Sequence, residues 1–378
     1  MNDLVIDPVD ELLSEIRLGR MVVLLDDDDA THNAGGVMVA AEHCEADHIT
    51  FMARRARGLV CLALTRERCR QLDLPPMVEG GGEHANFTLS IEAARGIDTG
   101  ISAADRAHTV RVAVAPHAQP ADIVQPGHIF PLAATPGGVL TRAGHTEAAV
   151  DYARLAGLTP AAVLTDVLGA DGGLASAAEL AAFAREHSLK LGTIADLIHY
   201  RLLHERTIER VREGEVATAH GTFRLTVYRD NNDGELHLAL SRGHIQPDSP
   251  TLVRVHTRST LRDLLGSHLR EGNSWALQDA LAHIGAAGKG VLVLLARPES
   301  EEALLHSIDL ALGEDRPSPP AATDTYNTIG LGSQILRDLG VGQIHLLGAP
   351  MKYNAISGFG LEVLETIRPA ASQPGEPR

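Results

Sequence analysis

Apolar residues recur along this chain in two periods, one suited to helices and one to strands. From Pro8 to Arg20 (PVDELLSEIRLGR) they return every three or four residues, which predicts an amphipathic helix. Met21 to Leu25 is a short, strand-like, apolar and β-branched run that ends in four acids, Asp26 to Asp29. Thr146 to Ala156 places Ala149, Tyr152, Leu155 and Ala156 on one helical face, with Gly157 as a stop. Ala161 to Val167 reads as a buried strand. Ser176 with Glu179 forms a capping box ahead of a helix that runs to about His187. The stretch from Tyr200 to Glu215 is charged and helix-prone and looks like a connector. Beyond it, Thr222 to Tyr228 and Glu235 to Leu240 alternate on either side of RDNNDG, the pattern of a β-hairpin. Gly288 to Leu295 and Gln343 to Leu347 read as buried strands, and Ser333 to Leu339 as a short helix closed by Gly340.

This mixture of strands and helices predicts an α+β or mixed α/β fold in two domains, each a mixed sheet with packed helices. The expected boundaries are residues 1–203, a connector at 204–214, and 215–368. By composition, Gly313 to Ala322 is a mobile loop and residues 369–378 are a disordered tail.

Composition narrows the class. With 378 residues the chain is long enough for two domains. Only 3% of residues are aromatic, so the cores must rest on Ala, Val, Leu and Ile. The net charge of −16 argues against nucleic acid as a partner, because neutralising phosphates requires a basic face. A few local arginines still suffice for one phosphate group. No apolar run is long enough for a membrane helix, and the acidic N-terminus lacks the features of a signal peptide, so a cytoplasmic location is expected. The three cysteines, Cys44, Cys61 and Cys69, fit no zinc pattern and read as buried or incidental thiols.

Two segments carry a specific signature. One is QPGHIFPLAATPGGVLTRAGHTEAAVDYARLAG, residues 125–157, and the other is TGISAADRAHTVR, residues 99–111. Both resemble 3,4-dihydroxy-2-butanone 4-phosphate synthase, and the likeness extends through nearly all of the first 200 residues. The resemblance implies conversion of ribulose 5-phosphate to a four-carbon hydroxyketone phosphate and formate. It also implies a homodimer and a divalent metal, magnesium or manganese, that stabilises an enediolate. Carried over by motif, His145 falls at the metal-ligand histidine. Arg142, Ala143, Gly144 and Thr146 fall on the substrate-binding loop, and His128 on the catalytic histidine. Asp166 falls where the family has a catalytic glutamate.

The other half of the site departs from the family. In place of the family's DDEDRENEGD this chain reads DDDDATHNAGG, residues 26–36. The phosphate-binding arginine becomes Thr31, the metal glutamate becomes His32, and the final aspartate becomes Gly36. The family's NTSxxGTxFT loop shortens to GGGEHANFT, residues 80–88. Each lost carboxylate ligand or charged phosphate contact is worth about 2–4 kcal/mol. Together the losses amount to at least ~10⁴-fold in rate unless compensated. His32 beside His145 would suit a softer metal such as Zn, Ni or Fe, with Asp26 to Asp29 and Asp166 as possible oxygen ligands. A polar loop residue is the alternative reading of His32.

From residue 215 the chain resembles GTP cyclohydrolase II, through VRVHTRSTLRDLLGS (253–267), GKGVLVLL (288–295), IGLGSQILRDLGV (329–341) and KYNAISGFGLEVLE (352–365). That family holds zinc with three cysteines. Here those positions are Ser259, Arg270 and Gly272, so no zinc is expected in this domain. ARPESEE, residues 296–302, replaces the nucleotide-contacting QEGRGIG, and Asn327 replaces the proposed arginine nucleophile. Arg254, Tyr326 and Lys352 remain as polar contacts. This domain is therefore not expected to act as a cyclohydrolase. Two functions stay open. One is a divergent lyase acting on a sugar phosphate such as ribulose 5-phosphate. The other is a non-catalytic regulatory or scaffold paralogue of flavin-pathway enzymes.

Overall fold

The structure is a computed structural model that describes residues 5–26, 35–78, 86–232, 234–265, 275–296, 299, 301–312, 322–348 and 360–369. His32 and Thr31 therefore lie outside the described residues, as do most of the acidic run and the expected tail. The chain divides into two compact units, Met1–Tyr200 and Arg201–Arg378.

The first unit contains strands β1 (Val22–Leu25), β2 (Gly35–Ala40), β3 (Cys61–Thr65), β4 (Ile91–Ala93), β5 (Ile123–Ala134), β6 (Ala161–Asp166) and β7 (Lys190–Thr193). Its helices are α1 (Val9–Arg17), α2 (Ala46–Phe51), α3 (Arg66–Gln71), α4 (Ala103–Val114), α5 (His145–Leu155), α6 (Ala177–Glu186) and α7 (Ile194–His204). The strands form one mixed sheet in the order β4-β5-β3-β6-β2-β1-β7. β1, β2 and β6 are buried nearly throughout, which explains why their sequences run apolar without alternation. Val9, Leu12, Leu13 and Ile16 form the buried stripe of α1, and Gly19 at φ 75° ends the turn after it. The expected capping box forms: Ser176 Oγ accepts from Glu179 N, and Glu179 Oε2 accepts from Ser176 N at 2.8 Å.

The second unit contains β8 (Ile208–Thr218), β9 (Gly221–Asp230), β10 (Leu236–Arg242), β11 (Thr251–Thr257), β12 (Gly290–Leu295), β13 (Gln343–Leu347) and β14 (Glu362–Ile367). Its helices are α8 (Leu277–Ala287), α9 (Glu301–Leu312) and α10 (Ala322–Asp338). The sheet order is β14-β13-β11-β12-β10-β9-β8, again mixed. The two sheets match the expected class, and the hairpin falls where RDNNDG predicts it.

The helix-prone reading of the charged stretch is corrected in part. The charged residues after Arg206 are not helical: Ile208–Thr218 is an edge strand paired antiparallel with β9. Its side chains are mostly exposed, so the charges that suggested a solvated helix instead line a sheet edge, where they oppose edge-to-edge association. α10 is also longer than the seven-residue helix expected from Ser333 to Leu339. At its end Asp338 accepts hydrogen bonds from Arg206, Arg210 and the buried Tyr228 hydroxyl, each at 2.7 Å. No helix of the described residues is long and apolar enough to cross a membrane.

Candidate active site

The RAGHT segment sits at the start of α5, where two buried carboxylates of the helix catch the loop that leads into it. Glu147 and Asp151 are one turn apart and therefore share a face. Glu147 Oε1 accepts from Thr135 N at 2.8 Å, and Asp151 Oδ2 accepts from Val139 N at 2.8 Å. The loop donors are themselves four residues apart, so the loop is laid along the helix. Two glycines make the approach possible. A Cβ on Gly138, at φ 64°, would stand 2.2 Å from Asp151 Oδ2, and one on Gly144 would stand 2.6 Å from Glu147 Oε2. Arg142 Nη1 donates to Glu147 Oε2 at 3.0 Å, while about a third of the Arg142 side chain remains exposed. The guanidinium is thus braced on one side and open on the other. Gly144 is the N-cap and His145 the first helical residue, so Arg142, Ala143 and the unpaired N–H groups of the first turn share one positive end. Thr146 is buried there. His145 Nε2 is buried without a protein partner, which leaves this imidazole atom available to a metal ion or a substrate oxygen.

His128 lies in a different construction. β5 pairs with β4 through Ile91↔Ile129 and then Glu92↔Val124, so Gln125 to His128 bulge out of the ladder. The Gln125–Pro126 peptide within it is cis. The bulge passes close over β4: Gly127 N donates to Ser90 Oγ at 3.1 Å, and a Cβ on Gly127 would fall 2.1 Å from Ile91 O. This closeness brings His128 Nδ1 to 3.0 Å from Glu92 Oε1.

Asp166 is exposed at the end of β6 and stands opposite Gly36 on β2. Cys61 is buried on the neighbouring strand β3, and its thiol is pushed up to about 12 by burial and by the Asp166 charge. Cys44 and Cys69 are likewise free and buried.

The register sorts these residues into two sets. Phe130, Cys61 and Leu164 form one row across β5, β3 and β6. His128 and Asp166 each lie two residues beyond that row in the same direction. Ile129 and Thr135, the residue that follows β5, are six positions apart, about 20 Å at the usual strand rise. Glu147 is bonded to Thr135, so the first turn of α5 is tied to the opposite end of that strand.

The corresponding region of the second unit is internally bonded. His256 Nε2 lies 2.9 Å from Asp263 Oδ2, which also accepts from Ser259 N at 2.8 Å. Glu299 Oε2 accepts from Thr260 N at 2.9 Å. Arg254 donates to Leu347 O and Trp275 O, both at 3.1 Å. Burial, then the charge of Arg262, pulls the Arg254 guanidinium down to about 10. Arg254 thus ties β11 to the Leu347 and Trp275 carbonyls. The side chains of Tyr326 and Lys352 lie outside the described residues. Ser259 Oγ is buried without a partner. Among the described residues no group of three or more His, Cys, Asp or Glu side chains could hold a metal ion.

Glu147, Asp151 and Glu92 were missed by the motif reading. Glu147 stands inside RAGHTEA itself. Glu92 is a lone acid within the apolar strand text SIEAA, a pattern that signals a buried, partnered carboxylate.

Residues 10–200 match the family of 3,4-dihydroxy-2-butanone 4-phosphate synthase, and residues 209–368 match GTP cyclohydrolase II. A 3,4-dihydroxy-2-butanone 4-phosphate synthase of Pseudomonas aeruginosa is 52% identical, covering 96% of this chain and 99% of its own length. The riboflavin biosynthesis protein RibBA of Aquifex aeolicus is 43% identical, covering 95% of this chain and 91% of its own. The crystal structure of RibBX, a two-domain 3,4-dihydroxy-2-butanone 4-phosphate synthase from A. baumannii, superposes with a TM-score of 0.83 at 46% identity, covering 96% of this chain and all of that one. This chain belongs to the 3,4-dihydroxy-2-butanone 4-phosphate synthase family of riboflavin biosynthesis, in its two-domain form with a GTP-cyclohydrolase-II-type second domain.

Proposed function

We propose that this protein is a divergent lyase that acts on ribulose 5-phosphate, or a closely related sugar phosphate, in its first domain, and that its second domain does not hydrolyse GTP. The observation that carries the reading is the Arg142 to Thr146 cluster at the head of α5, braced from below by the fully buried Glu147. Arg142 and the first-turn N–H groups receive the phosphate, and the Thr146 hydroxyl and the Ala143–Gly144 backbone add contacts.

Within one chain His128 and Asp166 lie toward the other end of β5 from the Arg142 to Thr146 cluster. The proposed reaction therefore needs the two sets brought together across the homodimer. There His128 moves a proton at the carbon next to the ketone, giving an enediolate, and returns it later in the sequence. Asp166, one methylene shorter than the family's glutamate, is the second proton carrier. The unpartnered Nε2 of His145 fits a divalent ion, with His32 as the candidate second ligand. Such an ion, when bound, supplies charge that stabilises negative charge developing on adjacent substrate oxygens.

The reading of the second domain rests on Ser259 at the first zinc-ligand position and on the absence of cysteine beyond Cys69. We further propose that the protein pairs as a homodimer, as the family resemblance implies. Formate release from ribulose 5-phosphate, compared between the native chain and His145→Ala, tests the lyase reading. Formate that depends on His145 supports it, whereas absence of formate favours a non-catalytic paralogue.

A further inference from the structure

The neighbourhood of Glu92 is built around that carboxylate. Glu92 lies on β4 and is nearly buried, and its two oxygens stand 3.0 and 3.3 Å from His128 Nδ1. Exposure is divided unevenly within the pair: 42% of the His128 side chain is open, against 12% for Glu92. The carboxylate end is therefore closed and the imidazole end open.

Three neighbours hold the arrangement. The bulge at Gln125 to His128 carries the imidazole over β4, and Gly127 permits the close pass. Gly100, at φ 80°, lies directly against the carboxylate: a Cβ there would fall 1.4 Å from Glu92 Oε1, so no side chain fits at position 100 while Glu92 keeps its place. Gly100 is itself fixed, because its N–H donates to Asp105 Oδ2 at 3.0 Å at the head of α4. A carboxylate accepts hydrogen bonds and cannot donate them, so Nδ1 must carry the proton in this contact. The lone pair of a neutral imidazole then resides on Nε2.

We propose that Glu92 is a positioning residue for His128. It fixes the ring orientation and holds the Nδ1–H tautomer, so that Nε2 is the atom that accepts a proton. When Nε2 takes a proton from substrate, the resulting imidazolium keeps its Nδ1–H bond to the carboxylate. Glu92 remains an anion throughout, and the proton leaves again from Nε2. The inference rests on the reading of His128 as the acid–base group.

The test uses the full chain labelled with ¹⁵N-histidine. With the ring in its neutral form, the native protein is expected to show a protonated Nδ1 and an unprotonated Nε2. Glu92→Leu removes both acceptor oxygens and is expected to shift the ring toward the Nε2–H form. Its kcat should fall by about 10²- to 10⁴-fold, with KM changed less than about threefold. Gly100→Ala, which displaces the carboxylate without removing it, should reproduce the spectral change. A native His128 in the Nε2–H form overturns the proposal, as does a Glu92→Leu spectrum identical to the native one. The native tautomer needs no variant and no turnover. An intact Nδ1–H signature in a protein that releases no formate therefore supports the pairing and counts only against the substrate reading.

Discussion

The Arg142 guanidinium lies 3.0 Å from Glu147, a carboxylate with no exposed surface. That carboxylate also takes the Thr135 N–H, so one buried group both orients the proposed phosphate-binding arginine and anchors the loop before it. Glu147→Gln keeps the volume but not the charge. It should cost about 2–4 kcal/mol of first-domain stability, because the guanidinium and the amide lose a charged acceptor. Urea unfolding measures the loss. A rise in KM for a phosphorylated substrate at unchanged kcat would mark the change in Arg142.

Gly36 faces Asp166 across β2 and β6, and the resemblance aligns it with a family aspartate. Restoring that residue is not free here. A Cβ on Gly36 would stand 2.8 Å from Thr165 O, a backbone atom, so the two strands would have to move apart. Gly36→Asp is expected to destabilise the chain by about 1–3 kcal/mol and to leave formate release no higher than in the native protein. Thermal unfolding and the formate assay report the two effects separately.

The three cysteines should be inert in the native protein. Burial raises Cys44 and Cys61 to about 12 and Cys69 to about 11. At pH 8 the thiolate fraction is then at most about one part in 10³. A thiol reagent at pH 8 should label none of them rapidly, and all three after denaturation. The linkage has a definite sign. Folded values above the unfolded ones mean that the unfolded chain loses these protons first, so stability falls as pH rises above about 9. A Cys61→Ser variant should lose less stability across that window than the native chain.

Asp338 gathers Arg206, Arg210 and Tyr228 at the edge of the second sheet. Burial pushes its carboxyl upward, but the Tyr228 hydroxyl and the two arginines outweigh it, and the net shift is downward. Its contribution is therefore present above the ordinary aspartate range and disappears as pH falls through the folded value. Asp338→Asn should destabilise the second domain at pH 7, and the gap to the native chain should close toward pH 3. Denaturant titrations at the two values decide this.

The second domain should neither retain zinc nor open the guanine ring of GTP. Metal analysis after zinc loading and dialysis, with ultraviolet absorbance of GTP, checks both. Ser259→Cys alone should change neither, since Arg270 and Gly272 would still offer no thiolate.

Much of this structure was legible as pattern. Strands buried on both faces, such as β1 and β6, announce themselves as apolar runs, and Ser176 with Glu179 marks a helix start by chemistry local to four residues. The edge strand β8 was not legible, because its charged residues satisfy a solvated helix and an exposed sheet edge equally well. Only pairing with β9 decides between them. The same limit applied to the site. A motif names Arg142 to Thr146, but the carboxylates that hold the site act through contacts. Glu92 lies 36 positions from His128, and only the bulge at Gln125 to His128 brings them together.

Turnover of ribulose 5-phosphate that depends on the head of α5 is the decisive property of the proposed lyase. The direct measurement is single-turnover formate release from ribulose 5-phosphate at high enzyme concentration, with magnesium, manganese, zinc, nickel or ferrous ion supplied in turn. Formate is expected with at least one of these ions, at a rate reduced by at least ~10⁴-fold from an enzyme with the full family site, and none from His145→Ala. No formate above the His145→Ala background with any of the five ions would contradict it.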